Sequence, residues 1–343
     1  MTRSRDIADQ QENLGGAVAP FVAGKNAIIN GGFDVFQRST FTSQTASNYA
    51  LDRWYAGVGG TVTITQQTTG APVGSQYCMR VAYNAASSFA NQFQALESAN
   101  ATALAGQTVT ATLLVRANAS WAATTSQGLN FYVEKNSTAN TLTGGTWSSI
   151  SSTSVAGSAI STGTSSSNWT KLTITCVVPN DGTAAGLRLR IGESVVGPSG
   201  AYWEMAQCQL EIGSAATPFS RAGGSIGGEL ALCQRYYFRT ATGTTFQSYG
   251  TGIGQNTTTI FGQVYLPVTM RVTPTSIDYS LLSVYDTNLN IAVISAGIGA
   301  GLAASPNIAQ VNLGVSSGAV QYRPYQIGNQ GVTTAYIGFS AEL

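Results

Sequence analysis

The stretch Ser225-Ile-Gly-Gly-Glu-Leu-Ala-Leu-Cys-Gln-Arg-Tyr-Tyr237 is the one clear helix signal in a chain of 343 residues. Its apolar side chains recur at the i, i+3, i+7 spacing of one helix face, at Leu230, Cys233 and Tyr237. Glycines precede the helix signal and mark a break in the chain, at positions 223, 224, 227 and 228. The sequence therefore predicts a helix over 229–237, inside a linker that separates two strand-rich regions.

Both flanking regions consist of short runs in which apolar and polar residues alternate, as half-buried strands require. Clear examples are 61–65, 171–178 and 187–191 before the linker, and 258–266 and 333–339 after it. Repeats of about 20–50 residues are not visible, which disfavours a β-helix. We therefore expect an all-β protein with four parts: an N-terminal arm (1–24), a jelly-roll β-sandwich (25–222), the linker helix (223–240) and a C-terminal β-sandwich (241–343).

The composition excludes several classes of function. Charged residues make up 9% of the chain and the net charge is +1, so no basic surface is expected for a nucleic-acid partner. Histidine is absent, which removes Ser-His-Asp, Cys-His and His-ligated zinc sites. The sequence predicts no membrane insertion, because no apolar run approaches about 18 residues. A secretory signal is not expected either, because the first residues lack an apolar stretch.

Further segments with recognisable sequence occur in a fixed order along the chain. They are Lys25-Asn-Ala-Ile-Ile-Asn-Gly-Gly-Phe-Asp-Val-Phe-Gln-Arg38, Tyr49-Ala-Leu-Asp-Arg-Trp-Tyr55, Tyr202-Trp-Glu-Met-Ala-Gln-Cys-Gln-Leu-Glu-Ile-Gly213, Glu229-Leu-Ala-Leu-Cys-Gln-Arg-Tyr-Tyr237 and Leu266-Pro-Val-Thr-Met-Arg-Val-Thr-Pro274. In this order and spacing the sequence resembles the tail-fibre-like virion proteins of bacteriophages and prophages. Its opening Ser4-Arg-Asp-Ile-Ala-Asp9 also resembles the start of short tail-fibre subunits of cyanobacterial phages.

The resemblance implies a jelly roll similar to carbohydrate-binding modules, followed by a small β domain, on a virion appendage assembled in the bacterial cytoplasm. The expected function is that of a short tail fibre or receptor-binding subunit that attaches the particle to host-surface glycans. A homotrimer is expected, and the arm over 1–24 would contact other virion proteins. The low charge content fits surfaces that are buried in such an assembly.

Two alternatives to this function remain open at this stage. One is a structural head-decoration or head-fibre protein that has no receptor. The other is a glycan-processing enzyme, which would need two carboxyl groups about 5–9.5 Å apart. Because no spacing in the sequence demands such a pair, we expect no enzymatic activity and assign no catalytic residue.

Three tryptophans in or beside polar stretches are the candidate carbohydrate-binding residues: Trp121, Trp147 and Trp169. An indole face can stack on a sugar, and the alternative is that each tryptophan covers an edge of the sandwich. The resemblance also implies a candidate structural calcium ion that Asp34 and Glu204 would ligate, although calcium prefers 6–8 oxygen ligands. No other cofactor is expected. Structural or oligomer-forming roles are assigned to Asp52, Arg53, Trp54, Arg235, Tyr236 and Tyr237.

Overall fold

The computed structural model describes residues 24–38, 41–86, 88–123, 128–193, 197–240, 243–286, 290–299, 304–329 and 331–343. The predicted arm, 1–24, lies outside these residues except for Gly24. Two compact units divide the chain, one ending at Leu230 and the other spanning Ala231–Glu342. Across the described ranges, no helix combines the length and the apolar character needed to cross a membrane.

The described residues of the first unit form twelve strands. They are β1 (Phe41–Gln44), β2 (Asn48–Leu51), β3 (Trp54–Gly59), β4 (Val62–Gln67), β5 (Cys78–Tyr83), β6 (Phe89–Ala95), β7 (Thr108–Ala117), β8 (Gly128–Asn136), β9 (Ser148–Ala156), β10 (Thr170–Val177), β11 (Gly186–Glu193) and β12 (Tyr202–Ile212). Short helices accompany them, namely α1 (Ser98–Ala103), α2 (Ala119–Ala122) and a 3₁₀ turn (Gly157–Ala159).

These strands form two six-stranded antiparallel sheets. The first sheet has the order β1-β4-β5-β12-β7-β10, and the second has the order β2-β3-β6-β11-β8-β9. The chain crosses repeatedly from one sheet to the other, as in a jelly roll. The all-β class and the sandwich expected from the alternating pattern are confirmed.

Alternation along each strand places the core between the two sheets. In β11, Leu187, Leu189 and Ile191 point inward and are buried, while Arg188 and Arg190 point outward and are partly exposed. Successive side chains of a strand point to opposite faces of the sheet. When every second side chain is buried in the core, the side chains between them therefore lie on the outer face. Trp54 and Trp203 are fully buried in this core.

The linker helix, α3, spans Ile226–Gln234 and so begins and ends one turn earlier than predicted. The hydroxyl of Ser225 caps its first turn by accepting a hydrogen bond from the Gly228 amide at 3.0 Å. The predicted apolar face of the helix is not uniformly buried, because Leu230 is 37% exposed while Cys233 is buried. Tyr237 leaves the helix to pair with Ser340 in a sheet, so strand pairing overrides the helical spacing at this end.

In the part of the second unit that the structure describes, there are nine further strands. They are β13 (Tyr237–Arg239), β14 (Ser248–Gly254), β15 (Thr259–Tyr265), β16 (Ser276–Ser280), β17 (Ser283–Tyr285), β18 (Asn290–Ile298), β19 (Ile308–Val315), β20 (Pro324–Gly328) and β21 (Tyr336–Ser340). Six of them close into a barrel in the order β14-β15-β19-β18-β17-β20, and three form a sheet in the order β13-β21-β16.

This barrel corrects the expectation of a second sandwich over 241–343. Strand β14 pairs with both β15 and β20, which joins the two ends of the sheet and leaves it no free edge. The closed interior is narrow, since a Cβ atom on Gly262 would lie 2.4 Å from the Ile327 side chain. An alternating pattern buries one face in a sandwich and in a barrel alike, so the pattern does not distinguish them.

One partly buried carboxylate joins the two sheets of the first unit. Glu193, at the end of β11, accepts a hydrogen bond from the Trp203 indole of the other sheet at 2.8 Å. Its second oxygen accepts a hydrogen bond from the Ala90 amide at 3.1 Å. Burial raises the pKa of Glu193 from 4.5 to about 7, although both hydrogen bonds favour the ionised form.

We predict that Glu193 makes the stability of the first unit depend on pH. The folded state binds the carboxyl proton of Glu193 more tightly than the unfolded state does. The stabilisation from the protonated Glu193 is therefore greatest below about pH 4.5 and is lost as the pH rises to about 7. The shift corresponds to about 3 kcal/mol. Urea unfolding of wild type and Glu193→Gln at pH 5 to pH 8 measures this contribution to stability. Tryptophan fluorescence reports on the first unit, because all 5 tryptophans lie before Leu230.

The comparison concerns the slope of stability against pH and not its absolute level. Glu193→Gln also replaces the acceptor of the Ala90 amide, which shifts its stability equally at every pH. The variant should lose less stability than wild type between pH 5 and pH 8. Parallel slopes for the two proteins would contradict the assignment.

Candidate functional site

The outer face of the second sheet carries a row of aromatic side chains. Strand register aligns one residue from each of five neighbouring strands, namely Tyr49, Tyr55, Phe93, Arg190 and Tyr132. All five are partly exposed. The ring centroids of Tyr49 and Tyr55 are 5.3 Å apart, and those of Tyr55 and Phe93 are 6.3 Å apart. The row therefore crosses the strands at about the 4.7–4.9 Å spacing of the sheet itself.

Two glycines of β3 keep this face flat. A Cβ atom on Gly57 would lie 2.8 Å from the ring of Phe93, and one on Gly59 would lie 2.1 Å from the ring of Phe89. Each phenyl ring thus lies directly over bare backbone of the neighbouring strand. Phe89 is 40% exposed, so it extends the apolar surface beside the row.

A buried carboxylate organises the other end of the row. Glu134 of β8 is 5% exposed, and its two carboxylate oxygens accept hydrogen bonds from different arginines. Arg188 Nε lies 2.7 Å from one oxygen and Arg190 Nε lies 2.8 Å from the other. Burial lowers the pKa of Arg188, while the Glu134 carboxylate opposes this shift. One acid therefore fixes two guanidinium groups, and the trio keeps a net charge of +1.

The guanidinium groups continue the aromatic surface. Arg188 lies 4.6 Å from the ring centroid of Phe93 and 4.2 Å from that of Trp147, so it bridges the two rings. Arg190 lies 3.7 Å from the ring centroid of Tyr132. Such stacking orients the planar cation and adds to the attraction. We call the combined surface of Tyr49, Tyr55, Phe93, Tyr132, Trp147, Arg188 and Arg190 the aromatic row.

The first sheet contains a similar trio on its own outer face. Glu204 accepts a hydrogen bond from Arg80 Nε at 2.8 Å on one oxygen and a second hydrogen bond from Arg116 Nε on the other. These arginines stack on Tyr202 and Trp169 at 4.0 and 4.4 Å. Arg116 is 1% exposed and donates to the Ser165 carbonyl at 3.0 Å, so a loop covers this arginine, whereas Arg80 is 28% exposed. The first sheet therefore carries the same three residue types, with one arginine covered and one partly exposed.

The three predicted tryptophans lie in three different environments. Trp147 belongs to the aromatic row, and Trp169 stacks on Arg116 of the trio on the first sheet. Trp121 is fully buried in the core, so the expectation that it contacts a ligand is corrected. The reason is local: its amide donates to the Asn118 side chain at 3.0 Å, which starts the short helix α2. This turn directs the indole inward.

The structure does not bring Asp34 and Glu204 together as calcium ligands. Asp34 receives two hydrogen bonds from Arg221, at 2.6 and 2.9 Å, and Glu204 is held by Arg80 and Arg116. Among the described residues, no three acidic, cysteine or histidine side chains cluster as metal ligands. The calcium expectation is corrected because arginines already occupy the carboxylate oxygens.

Asp52, Arg53 and Trp54 are all buried and connect segments of the first unit. Asp52 accepts from the amide and the side chain of Gln37 at 2.7 and 2.8 Å. Arg53, with φ +69°, donates to the Ala95 carbonyl at 2.8 Å, and the Trp54 indole donates to the Asn30 carbonyl at 3.1 Å. Their positions are those of structural residues.

The three predicted residues after α3 make contacts inside the second unit. The carbonyl of Arg235 accepts from the Arg271 amide at 2.7 Å, and that of Tyr236 accepts from the Ala341 amide at 2.7 Å. The hydroxyl of Tyr237 donates to Asp278 at 2.9 Å. A role of these residues between subunits stays a prediction.

No family model and no curated protein matches this chain. Solved structures that resemble part of it include carbohydrate-binding modules, a phage tailspike domain and a cyclase. The module TmCBM61 in complex with β-1,4-galactotriose is 13% identical, with a TM-score of 0.34, over 55% of this chain and 99% of the module. Tailspike protein 4 of bacteriophage CBA120 is 12% identical, with a TM-score of 0.35, over 55% of this chain and 21% of the tailspike. A putative sugar-binding protein from Bacteroides thetaiotaomicron is 12% identical, with a TM-score of 0.33, over 55% of this chain and 100% of that protein.

We predict that Glu134→Gln destabilises the first unit by about 2 kcal/mol, because two partly buried arginines lose their shared counter-charge. Urea unfolding followed by tryptophan fluorescence measures the change. Asp181→Asn is the control, since Asp181 is an exposed acid of the same unit and its loss should leave the unfolding midpoint unchanged. Equal midpoints for Glu134→Gln and wild type would contradict an organising role for Glu134.

Proposed function

We propose that this protein is a non-enzymatic, glycan-binding subunit of a bacteriophage virion appendage, a short tail fibre or receptor-binding protein. The observation that carries the proposal is the aromatic row on the open face of the second sheet. A sugar ring has an apolar C–H face and a hydroxyl edge, so it suits a surface of half-exposed rings with adjacent hydrogen-bond donors.

The geometry of the row favours an extended glycan over a single sugar. One side chain per strand is presented at about 4.7–4.9 Å intervals, which is close to the length of one sugar unit. A glycan lying along the row would run across the strands. Tyr49, Tyr55 and Phe93 would contact its apolar faces, and Arg190, 24% exposed, would donate to its oxygen atoms at the other end.

Neighbouring polar residues support the same ligand class. The next row of the sheet places Asn91 beside Gly57, and Asn130 beside Gly192. Amide side chains both donate and accept, as sugar hydroxyls do. The face therefore combines apolar stacking area with neutral hydrogen-bonding groups.

The bonding of Glu134 supports binding without hydrolysis at the aromatic row. A glycosidase needs one carboxylic acid that carries a proton, in addition to a second carboxylate. Both oxygens of Glu134, the acid beside the aromatic row, accept hydrogen bonds from arginines. Neither oxygen is therefore placed to reach a glycosidic oxygen of a ligand on the row.

The assignment to a virion rests on the sequence segments that resemble tail-fibre-like proteins. A charged fraction of 9% suits a chain whose surfaces are partly buried in an assembly. In the proposed particle the chain forms a homotrimer, and residues 1–24 attach it to other virion proteins. Several weak glycan sites would then act together, and avidity would raise the overall affinity.

We predict that Tyr55→Ala and Phe93→Ala each weaken glycan binding about tenfold, which corresponds to about 1.4 kcal/mol of lost stacking. A glycan array with the purified full chain identifies the ligand, and titration calorimetry then compares the variants. Tyr202→Ala is the matched control, because Tyr202 is also a partly exposed tyrosine on a strand but lies on the opposite sheet.

Binding that Tyr202→Ala reduces as strongly as Tyr55→Ala would contradict the placement of the site. Lack of binding to any glycan or host envelope fraction would favour the structural head-decoration role. Release of reducing sugar ends from the bound glycan would instead favour the enzyme alternative. The three outcomes are distinguishable with one protein preparation.

A further inference from the structure

The second unit contains a cleft that the proposed function does not use. Its volume is about 590 Å³, within the roughly 300–1,000 Å³ range of small-molecule sites. It lies over the adjacent strands β14, β20 and β17. Six of the side chains that line it carry the chemistry: Thr251, Tyr285, Asp286, Arg323, Pro324 and Gln326.

Strand register gathers three of these side chains into one row. Gln326 of β20 is paired with Thr251 on one side and with Tyr285 on the other. Paired residues of neighbouring strands point to the same face of a sheet, so a hydroxyl, an amide and a phenol ring stand side by side. This row alternates hydrogen-bonding groups with apolar area.

Tyr285 supplies a flat surface. A Cβ atom on Gly328 would lie 3.0 Å from both the ring and the hydroxyl of Tyr285, so the phenol lies along bare backbone of β20. Pro324 adds a second rigid apolar surface in the same cleft. Together they form a wall on which the face of a small ring can stack.

The charged residues of the cleft neutralise each other. Arg323 Nε lies 2.5 Å from an Asp286 oxygen, and the two side chains are 33% and 13% exposed. An anion would have to compete with Asp286 for the guanidinium, and a cation would have to compete with Arg323 for the carboxylate. The pair instead offers donors and acceptors side by side, which suits vicinal hydroxyl groups.

From these features we propose that the cleft is a second binding site, specific for one neutral sugar unit. The sugar would stack on Tyr285 and Pro324, and its hydroxyls would bond to Thr251, Gln326 and the Arg323–Asp286 pair. This site is built from the second unit alone and does not depend on the aromatic row.

The test uses the full chain carrying Tyr55→Ala and Phe93→Ala, so that binding to the aromatic row is suppressed. Galactose, glucose and N-acetylglucosamine are titrated as separate probes, with glucuronate and inorganic phosphate as charged probes, and binding is followed by ligand-observed NMR. We expect at least one neutral sugar to bind in the millimolar range. Tyr285→Ala, added to this background, should weaken that binding about tenfold.

Tyr265→Ala is the matched control, since Tyr265 is a 69% exposed tyrosine on the same barrel but outside the cleft. Gln326→Glu is a second variant that keeps side-chain size and should also weaken binding, because it removes the N–H donors of the Gln326 amide. Thermal unfolding confirms that each variant is folded. The proposal is overturned if no neutral sugar binds, if Tyr285→Ala binds as well as Tyr265→Ala, or if a charged probe binds more tightly than every neutral sugar.

Discussion

Burial of apolar side chains between two antiparallel sheets is the constraint on which the rest of the first unit depends. Once Leu187, Leu189 and Ile191 point into the core, Arg188 and Arg190 must point outward from the same strand. Antiparallel register then fixes the neighbours of Arg190, which are Phe93 on one side and Tyr132 on the other. The strand residues of the aromatic row are therefore a consequence of core packing combined with register, and the loop before β9 adds Trp147.

The chain has few charges, and the first unit concentrates several of them in partly or fully buried ion pairs. Glu134, Glu204 and Asp34 each accept from at least one arginine. A buried carboxylate without such a partner would be costly, whereas a bonded one orients the guanidinium precisely enough for ring stacking. Arginine therefore has two roles here, because it neutralises an acid and extends an aromatic surface. Lysine would neutralise the charge but lacks the planar group.

The sequence predicts the class of the fold and part of the site, and the limits have physical causes. The alternating run 187–191 predicts a strand with two arginines on one face, and the structure confirms both. That Glu134 and Phe93 lie beside those arginines depends on pairing with β8 and β6, which are distant in sequence. Local pattern encodes which face is buried but not which strands are neighbours. For the same reason, closure of the barrel and the shift of Tyr237 from helix to strand could not be predicted.

The two sheets of the sandwich show that the same trio of residue types can lie in different surroundings. Each sheet carries a glutamate held by two arginines, and each pair of arginines stacks on aromatic rings. On the first sheet, the Ser165 loop bonds to Arg116 and leaves it 1% exposed, while Arg80 is 28% exposed. On the second sheet, the Leu142 carbonyl accepts from Arg188, which is 12% exposed, while Arg190 is 24% exposed. A motif search would score the two trios equally, because both contain the same residue types. What distinguishes the second trio is strand register, which continues it into Phe93, Tyr55 and Tyr49 on three neighbouring strands.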